Sequence, residues 1–230
     1  MITLVAFPAM FGTRSSSPFS IKAEYLLNMA GVPWTRRDKG DPRKWPKGKL
    51  PAIVIDARVV GGSDGIQQYL EDQGHDLHKG LSEFDRASAH TFIRMAEEHM
   101  YFHLVLDRWG NNDVWPTIRD AYFATIPKLP RLLVTRGLRS KLMAGMMAQG
   151  LGRLTPVERM ERLEHDLIAI KAALTRSNYL FGETPCAADA SVAAVLATMR
   201  ATPVETILSR RIISDQVLSS YIDRVDAALG

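Results

Sequence analysis

The chain has 230 residues, 46% hydrophobic and 23% charged, which is ordinary globular usage with enough length to bury a core, and excludes wholesale disorder. A net charge of +4 mildly favours anionic partners such as carboxylates, phosphates or acidic membrane surfaces, but is too small and dispersed to indicate nucleic-acid binding. The single cysteine, Cys186, can form neither an internal disulfide nor a CxxC redox pair, and no apolar stretch approaches the ~20 residues that span a bilayer. The cytoplasm is therefore the expected compartment.

The chain opens on ITLVAF (2–7), a continuous apolar run that ends at Pro8. It is too short and lacks the preceding basic residues of a signal peptide, so it reads as an inner strand covered on both faces. A helix is expected after the polar loop FGTRSSS, with Ser17 as N-cap and Pro18 at the first helical position. Phe19, Ala23, Leu26, Leu27 and Ala30 form one apolar face, and Gly31 ends the helix. PWTRR (33–37) suits a more exposed second strand, and DKGDPRKWPKGK a loop. AIVID (52–56) and RVV (58–60) read as two strands joined by a tight turn, and Ser63 opens a short helix that stops at Gly74.

Beyond a polar linker the pattern is helical. A long helical stretch covers 83–109, with Phe92, Met95, Met100, His103 and Leu104 among its inward candidates. Residues 156–175 place Met160, Leu163, Leu167, Ile170 and Leu174 on one stripe, and 187–200 are apolar nearly all round, as in a central helix. The expected division is 1–76 for the strand-containing domain, 77–83 for the linker and 84–230 for the helical domain.

Three segments together carry a family resemblance: SSSPFSIKAEYLLNMAGVPW (15–34), PKGKLPAIVIDARVVGGSDGIQQYLED (46–72) and NYLFGETPCAADASVAAVL (178–196). They resemble the glutathione S-transferase superfamily. The motifs SPF-x-x-K, AG-x-P, PKGKLP and AQGLGR (148–153) further resemble its branch related to the failed-axon-connections and metaxin proteins. The resemblance implies a thioredoxin-like α/β N-terminal domain followed by an all-α domain, with glutathione as cosubstrate and no metal. It also implies a homodimer.

Such a site needs donors for two carboxylates, a strand edge for the peptide, and a group that holds sulfur as thiolate, since a free thiol has a pKa of about 8.5. The resemblance places Ser17 at the catalytic position, at a helix N-terminus that favours an anion. A simple N-cap is the alternative, one that Ser15 or Ser16 would fill as well. Because residue 17 is not cysteine, mixed-disulfide chemistry is disfavoured. Pro51 matches the family's cis-proline, which turns the Leu50 backbone towards the ligand for pairing as an added strand. Ser63 matches the serine that receives the γ-glutamyl carboxylate, although an ordinary N-cap fits too. Gly62 replaces the acid that normally precedes that serine, and Asp64 could substitute for it. Lys49 is the foremost of several cations, with Lys47 and Arg14, that could meet the glycine carboxylate, near Trp45.

In the helical half, Tyr101 and Trp109 are expected to border a second-substrate pocket. His99 and His103 stand i, i+4 but lack a third ligand at recognisable spacing. Asp189 matches the acid of a capping box whose N-cap is Cys186, a poorer acceptor than a hydroxyl, so the box should be weaker by under ~1 kcal/mol. No acidic residue lies between Asp120 and Glu158, a stretch that holds Lys128, Arg131, Arg136, Arg139, Lys141 and Arg153 among apolar residues. It is either an amphipathic helix with a solvated face or a surface for an anionic membrane or partner. Two functions suit such a chain: glutathione conjugation to an electrophilic apolar molecule or peroxide reduction, and a non-catalytic adaptor on the same scaffold.

Overall fold

The computed structural model describes residues 1–230. Four strands form the sheet: β1 (Ile2–Ala6), β2 (Trp34–Asp38), β3 (Ala52–Ile55) and β4 (Arg58–Gly61). Their spatial order is β2-β1-β3-β4, with β1 parallel to β2 and antiparallel to β3, and β3 antiparallel to β4. The apolar run of β1 is explained by this central place: Ile2, Leu4, Val5 and Ala6 are all buried. The edge strand β2 carries Thr35, Arg37 and Asp38 on exposed positions.

Helix α1 (Pro18–Met29) is the β1–β2 crossover, and α2 (Ser63–Asp72) follows β4. Gly62, not Ser63, occupies the N-cap of α2, at φ 82° and ψ 148°. That backbone region is essentially restricted to glycine. Gly61 is needed for a different reason: a Cβ there would stand 2.6 Å from Cβ of Pro46, so the loop over the end of β4 closes only on a bare backbone.

The helical half begins at α3 (Glu83–Met95), which continues through Ala96–Met100, α4 (Tyr101–Val105) and Leu106–Gly110. Ala96–Met100 and Leu106–Gly110 are wide π-helical turns. Each rotates the next residues away from the 3.6-residue period, and such turns are frequent at functional sites. Then come α5 (Trp115–Tyr122), α6 (Lys128–Gln149), α7 (Pro156–Leu174), α8 (Ala187–Arg200), α9 (Ile207–Ser214) and α10 (Gln216–Leu229). Helix α8 packs on α1, α3 and α10 and is buried on all sides except at Ala197 and Arg200, in keeping with its Ala- and Val-rich sequence. One continuous core therefore joins Leu4, Ile53, Leu26 and Leu70 of the strand-containing half to Val192, Leu196 and Tyr221 of the helical half.

Asp189 accepts from the amides of Cys186 (2.9 Å) and Leu180 (3.0 Å) and from the Tyr221 hydroxyl (2.8 Å). Its role is to tie the start of α8 to the preceding loop and to α10. Cys186 is buried, and burial pushes its thiol up to about 12.

Candidate functional site

The sheet register brings three separated segments to one end of the strand-containing half. Val5 of β1 lies opposite Ala52 of β3, which lies opposite Gly61 of β4. Pro51 immediately precedes Ala52, and its carbonyl accepts from the Gly62 amide at 2.8 Å, which sets Ser63 beside it. On the other side, β1 runs into Phe7 and Pro8, whose carbonyls accept from the Ser15 hydroxyl (2.8 Å) and the Ser16 amide (2.9 Å). Leu50–Pro51, Ser63 and the Ser15–Ser17 turn thus lie at the same end of the sheet.

The Leu50–Pro51 bond is cis, as the sequence suggested. Leu50 is buried, yet its amide and carbonyl take no partner within the chain, so a strand-edge donor and acceptor remain available. Ser63 is buried at the first position of α2, with no hydrogen bond to its hydroxyl within the chain. Lys49 is exposed and forms no ion pair. Trp45 packs against Val5, Leu50 and Ala52 rather than facing outward.

The three serines before α1 have different surroundings. Ser15 is fully buried and consumed: it donates to Phe7 and accepts from the Ser17 amide at 3.2 Å. Ser17 occupies the N-cap position, but its side chain makes no capping bond. Its free hydroxyl, with Ser16, lines a cavity of about 310 Å³ between the two halves. Tyr101 and Trp109 line the same cavity, alongside Leu104, Val105 and Arg108. The Tyr101 ring meets Phe19 edge-on at 4.7 Å, and burial pushes its phenol up to about 12. That keeps the hydroxyl protonated and able to donate.

Other expected residues are engaged elsewhere. Arg14 binds Glu24 (3.1 Å) and Asp226 (2.6 Å), and so is directed to α1 and α10. Asp64 accepts from Lys22 (3.0 Å) and Arg94 (3.0 Å), which bridges α2 to α1 and α3. His99 and His103 form a chain with Asp166: His99 Nδ1 is 2.5 Å from the carboxylate and its Nε2 is 3.4 Å from Nε2 of His103. No group of three or more possible ligands stands close enough there to hold a metal. In the basic segment, Arg131 binds Ile126 and Asp120, and Arg139 binds the carbonyls of Trp109 and Gly110. Those two cations therefore clamp α6 onto the rest of the molecule, while Leu129, Leu133 and Arg136 remain exposed.

Two features went unread in the sequence. Lys22, in the SPF-x-x-K motif, is 1% exposed and sits 2.6 Å from Glu97, which also accepts from Arg94 and from Ser191 of α8. Arg108 is 2% exposed within the cavity wall. A signal for Arg108 was present: it stands seven residues from Tyr101 on the stripe that includes Leu104 and Val105.

Comparison with known proteins agrees with this fold. A model of the glutathione S-transferase N-terminal domain matches residues 18–115, and one of the glutathione S-transferase C-terminal domain matches 163–225. The chain belongs to the glutathione S-transferase superfamily, with the thioredoxin-like plus all-helical fold of that family. Among curated relatives it is 26% identical to the isoprene-epoxide–glutathione S-transferase of Rhodococcus sp. (strain AD45), over 98% of both chains. It is also 23% identical to human metaxin-2 over 79% of this chain and 70% of that one. Similar solved structures include a glutathione transferase of Phanerochaete chrysosporium (TM-score 0.64, 21% identity, covering 99% of this chain and 96% of that one). FzlA from C. crescentus is also similar (TM-score 0.60, 15% identity, 98% and 88%).

Proposed function

We propose that the protein binds glutathione and conjugates it to a small electrophile, with an epoxide as the leading class. The observation that carries this reading is the Ser17 hydroxyl: it stands unbonded at the start of α1 and lines a largely apolar cavity, at the same end of the sheet as the free Leu50 backbone and Ser63. The Rhodococcus relative, whose name records an epoxide and glutathione, supports the choice of electrophile.

In this mechanism the peptide of glutathione pairs with the Leu50 amide and carbonyl, and the γ-glutamyl carboxylate meets the Ser63 hydroxyl and the first turn of α2. Lys49 reaches the glycine carboxylate, and Asp64, although it also holds Lys22 and Arg94, keeps a half-exposed carboxylate with lone pairs left to take the ligand's amine. Ser17 donates to the sulfur. A charge-assisted bond together with the helix N-terminus favours thiolate over thiol, lowering the pKa from about 8.5 towards neutrality. The sulfur then attacks an epoxide carbon, the ring C–O bond breaks, and the Tyr101 hydroxyl, which has no partner in the chain, gives its proton to the departing oxygen. Trp109 and Leu104 bound the apolar body of the substrate. Peroxide reduction would use the same thiolate.

The test is retention on immobilised glutathione with elution by free glutathione, followed by conjugation of styrene oxide read by mass spectrometry. Wild type should be eluted specifically and form the adduct. Ser63→Ala should lose retention, and Ser17→Ala should keep retention but lose turnover. Equal, background-level product from wild type and Ser17→Ala would refute the enzyme reading.

A second reading, a non-catalytic adaptor, draws on α6, whose Leu129 and Leu133 are more than three-quarters exposed, and on the metaxin-2 relative. The two readings part on turnover. A homodimer in the cytoplasm belongs to the first proposal, and sedimentation at twice the 25.6 kDa chain mass is its readout.

A further inference from the structure

Arg108 is the one charged side chain lining the cavity beside Ser17. Its partners are all neutral oxygens: the Thr198 carbonyl (2.5 Å), the Tyr122 hydroxyl (2.8 Å), the Ser16 carbonyl (3.4 Å) and the Thr202 hydroxyl (3.5 Å). The Phe11 ring lies 5.7 Å from the guanidinium carbon. No carboxylate is within ion-pair distance, although Arg108 is only 2% exposed. The adjacent acid, Asp107, makes no ion pair with Arg108: it accepts from the Thr206 hydroxyl at 3.0 Å, meets Arg108 only at longer range and through the shared Thr202 hydroxyl, and lines a separate cleft of about 40 Å³ with His103 and Arg159.

A buried cation whose direct acceptors are all neutral, with its nearest carboxylate beyond ion-pair distance, keeps part of its desolvation cost uncompensated. An anion brought into the cavity would supply the missing charge. The bonds to Thr198 and Thr202 hold the guanidinium in place beforehand, so little side-chain ordering remains to oppose binding. The rest of the wall is apolar or hydroxylic, and its volume of about 310 Å³ is at the low end for small-molecule sites.

We infer that the second substrate carries a carboxylate on a small apolar body, and that Arg108 binds this carboxylate while Ser17 holds the attacking sulfur. The inference rests on the conjugation reading and adds a substrate class to it. For an epoxide bearing a carboxylate, the thiolate forms a C–S bond as the ring C–O bond breaks. The resulting alkoxide takes one proton from the Tyr101 hydroxyl, which water replenishes. The carboxylate and Arg108 are unchanged by the step, so Arg108 determines specificity rather than performing chemistry.

The experiment has a binding arm and a turnover arm. Calorimetry compares benzoate with its neutral isostere benzamide on wild type, Arg108→Gln and Arg108→Lys. A charge-assisted bond in a dry site should favour benzoate by about 10- to 100-fold in wild type. Arg108→Gln should lose that preference and Arg108→Lys should keep part of it, which separates charge from shape. In the turnover arm, phenylglycidate should show a lower KM than styrene oxide in wild type, and Arg108→Gln should raise the KM for phenylglycidate more than that for styrene oxide. Equal affinity for benzoate and benzamide in wild type overturns the inference even if both variants fail to fold, and so does a preference that persists in Arg108→Gln. If styrene oxide is conjugated but benzoate is not preferred, only the substrate class fails. If benzoate is preferred but no adduct forms, the conjugation reading fails and the anion site stands.

Discussion

Removing Lys22 tests the charged cluster that joins the two halves. Lys22 Nζ lies 2.6 Å from Glu97, which is 5% exposed, and 3.0 Å from Asp64, which is about half exposed. Breaking a buried pair from one side typically costs about 3–5 kcal/mol, because the remaining charge is left without compensation. After Lys22→Met, however, Glu97 still accepts from Arg94 (2.9 Å) and Ser191 (2.9 Å), and Asp64 still reaches Arg94 and water. The expected loss is therefore at the lower end, about 3 kcal/mol, or a fall in Tm of about 6–12 °C for a chain of this size. Glu97→Leu should cost more, since Lys22 then has only the half-exposed Asp64 and Arg94 also loses a partner. The double variant should cost less than the sum of the two, because it removes both buried charges together. Urea unfolding of the four proteins, with unchanged m-values, gives the coupling. Single losses under about 1 kcal/mol that simply add would refute the reasoning and place the pair with ordinary surface ion pairs.

Three other outcomes are expected. Gly62→Glu, which would reinstate the family's acid, should destabilise by about 1–3 kcal/mol in thermal unfolding, because a side chain is placed at φ 82° and ψ 148°; a neutral effect would show that the turn relaxes. Burial holds His103 at about 3 in the folded state against 6.5 unfolded, with like charge from His99 and nearby arginines adding to the shift. The unfolded chain therefore binds the extra proton between those values, so stability conferred by neutral His103 is complete above about 6.5 and drains away as pH falls towards 3. Asp107 titrates in the opposite sense, raised to about 6 by burial, so the two are separated by measuring His103→Gln and Asp107→Asn, and the acid-side decline should be shallower only in the former. Native Cys186 should resist iodoacetamide and react only on unfolding, since its thiol is buried and raised to about 12; rapid native labelling would contradict this.

Much of the scaffold could be read from the chain because the relevant signals are local. The apolar run of residues 2–6, interrupted only by Thr3, the Ser-Pro start of α1 and the small apolar surface of 187–200 each state their surroundings within a few residues. The cis bond at Pro51 and the position of Ser17 came through resemblance. Features set by distant partners were not legible. Lys22 looks like any helical lysine until Asp64 and Glu97, 42 and 75 residues away, close over it. Glu97 lies on a π-helical turn, where a 3.6-residue reading of inward and outward faces loses register, whereas Arg108 keeps the stripe of Tyr101, Leu104 and Val105 and only its partners, up to 94 residues away, stay hidden in the sequence. The same long-range pairing occupies Arg14, which the chain alone offered as a free cation. Position 62 reads as a lost acid in sequence and as a required glycine in space, because the turn after β4 sets its φ.

The most direct test is a titration of glutathione bound to the protein, following the ultraviolet absorbance of its thiolate. With wild type the midpoint should fall well below the free thiol's value of about 8.5, and in Ser17→Ala it should return most of the way towards it. A bound thiol that titrates like free glutathione in wild type would contradict the role given to the start of α1.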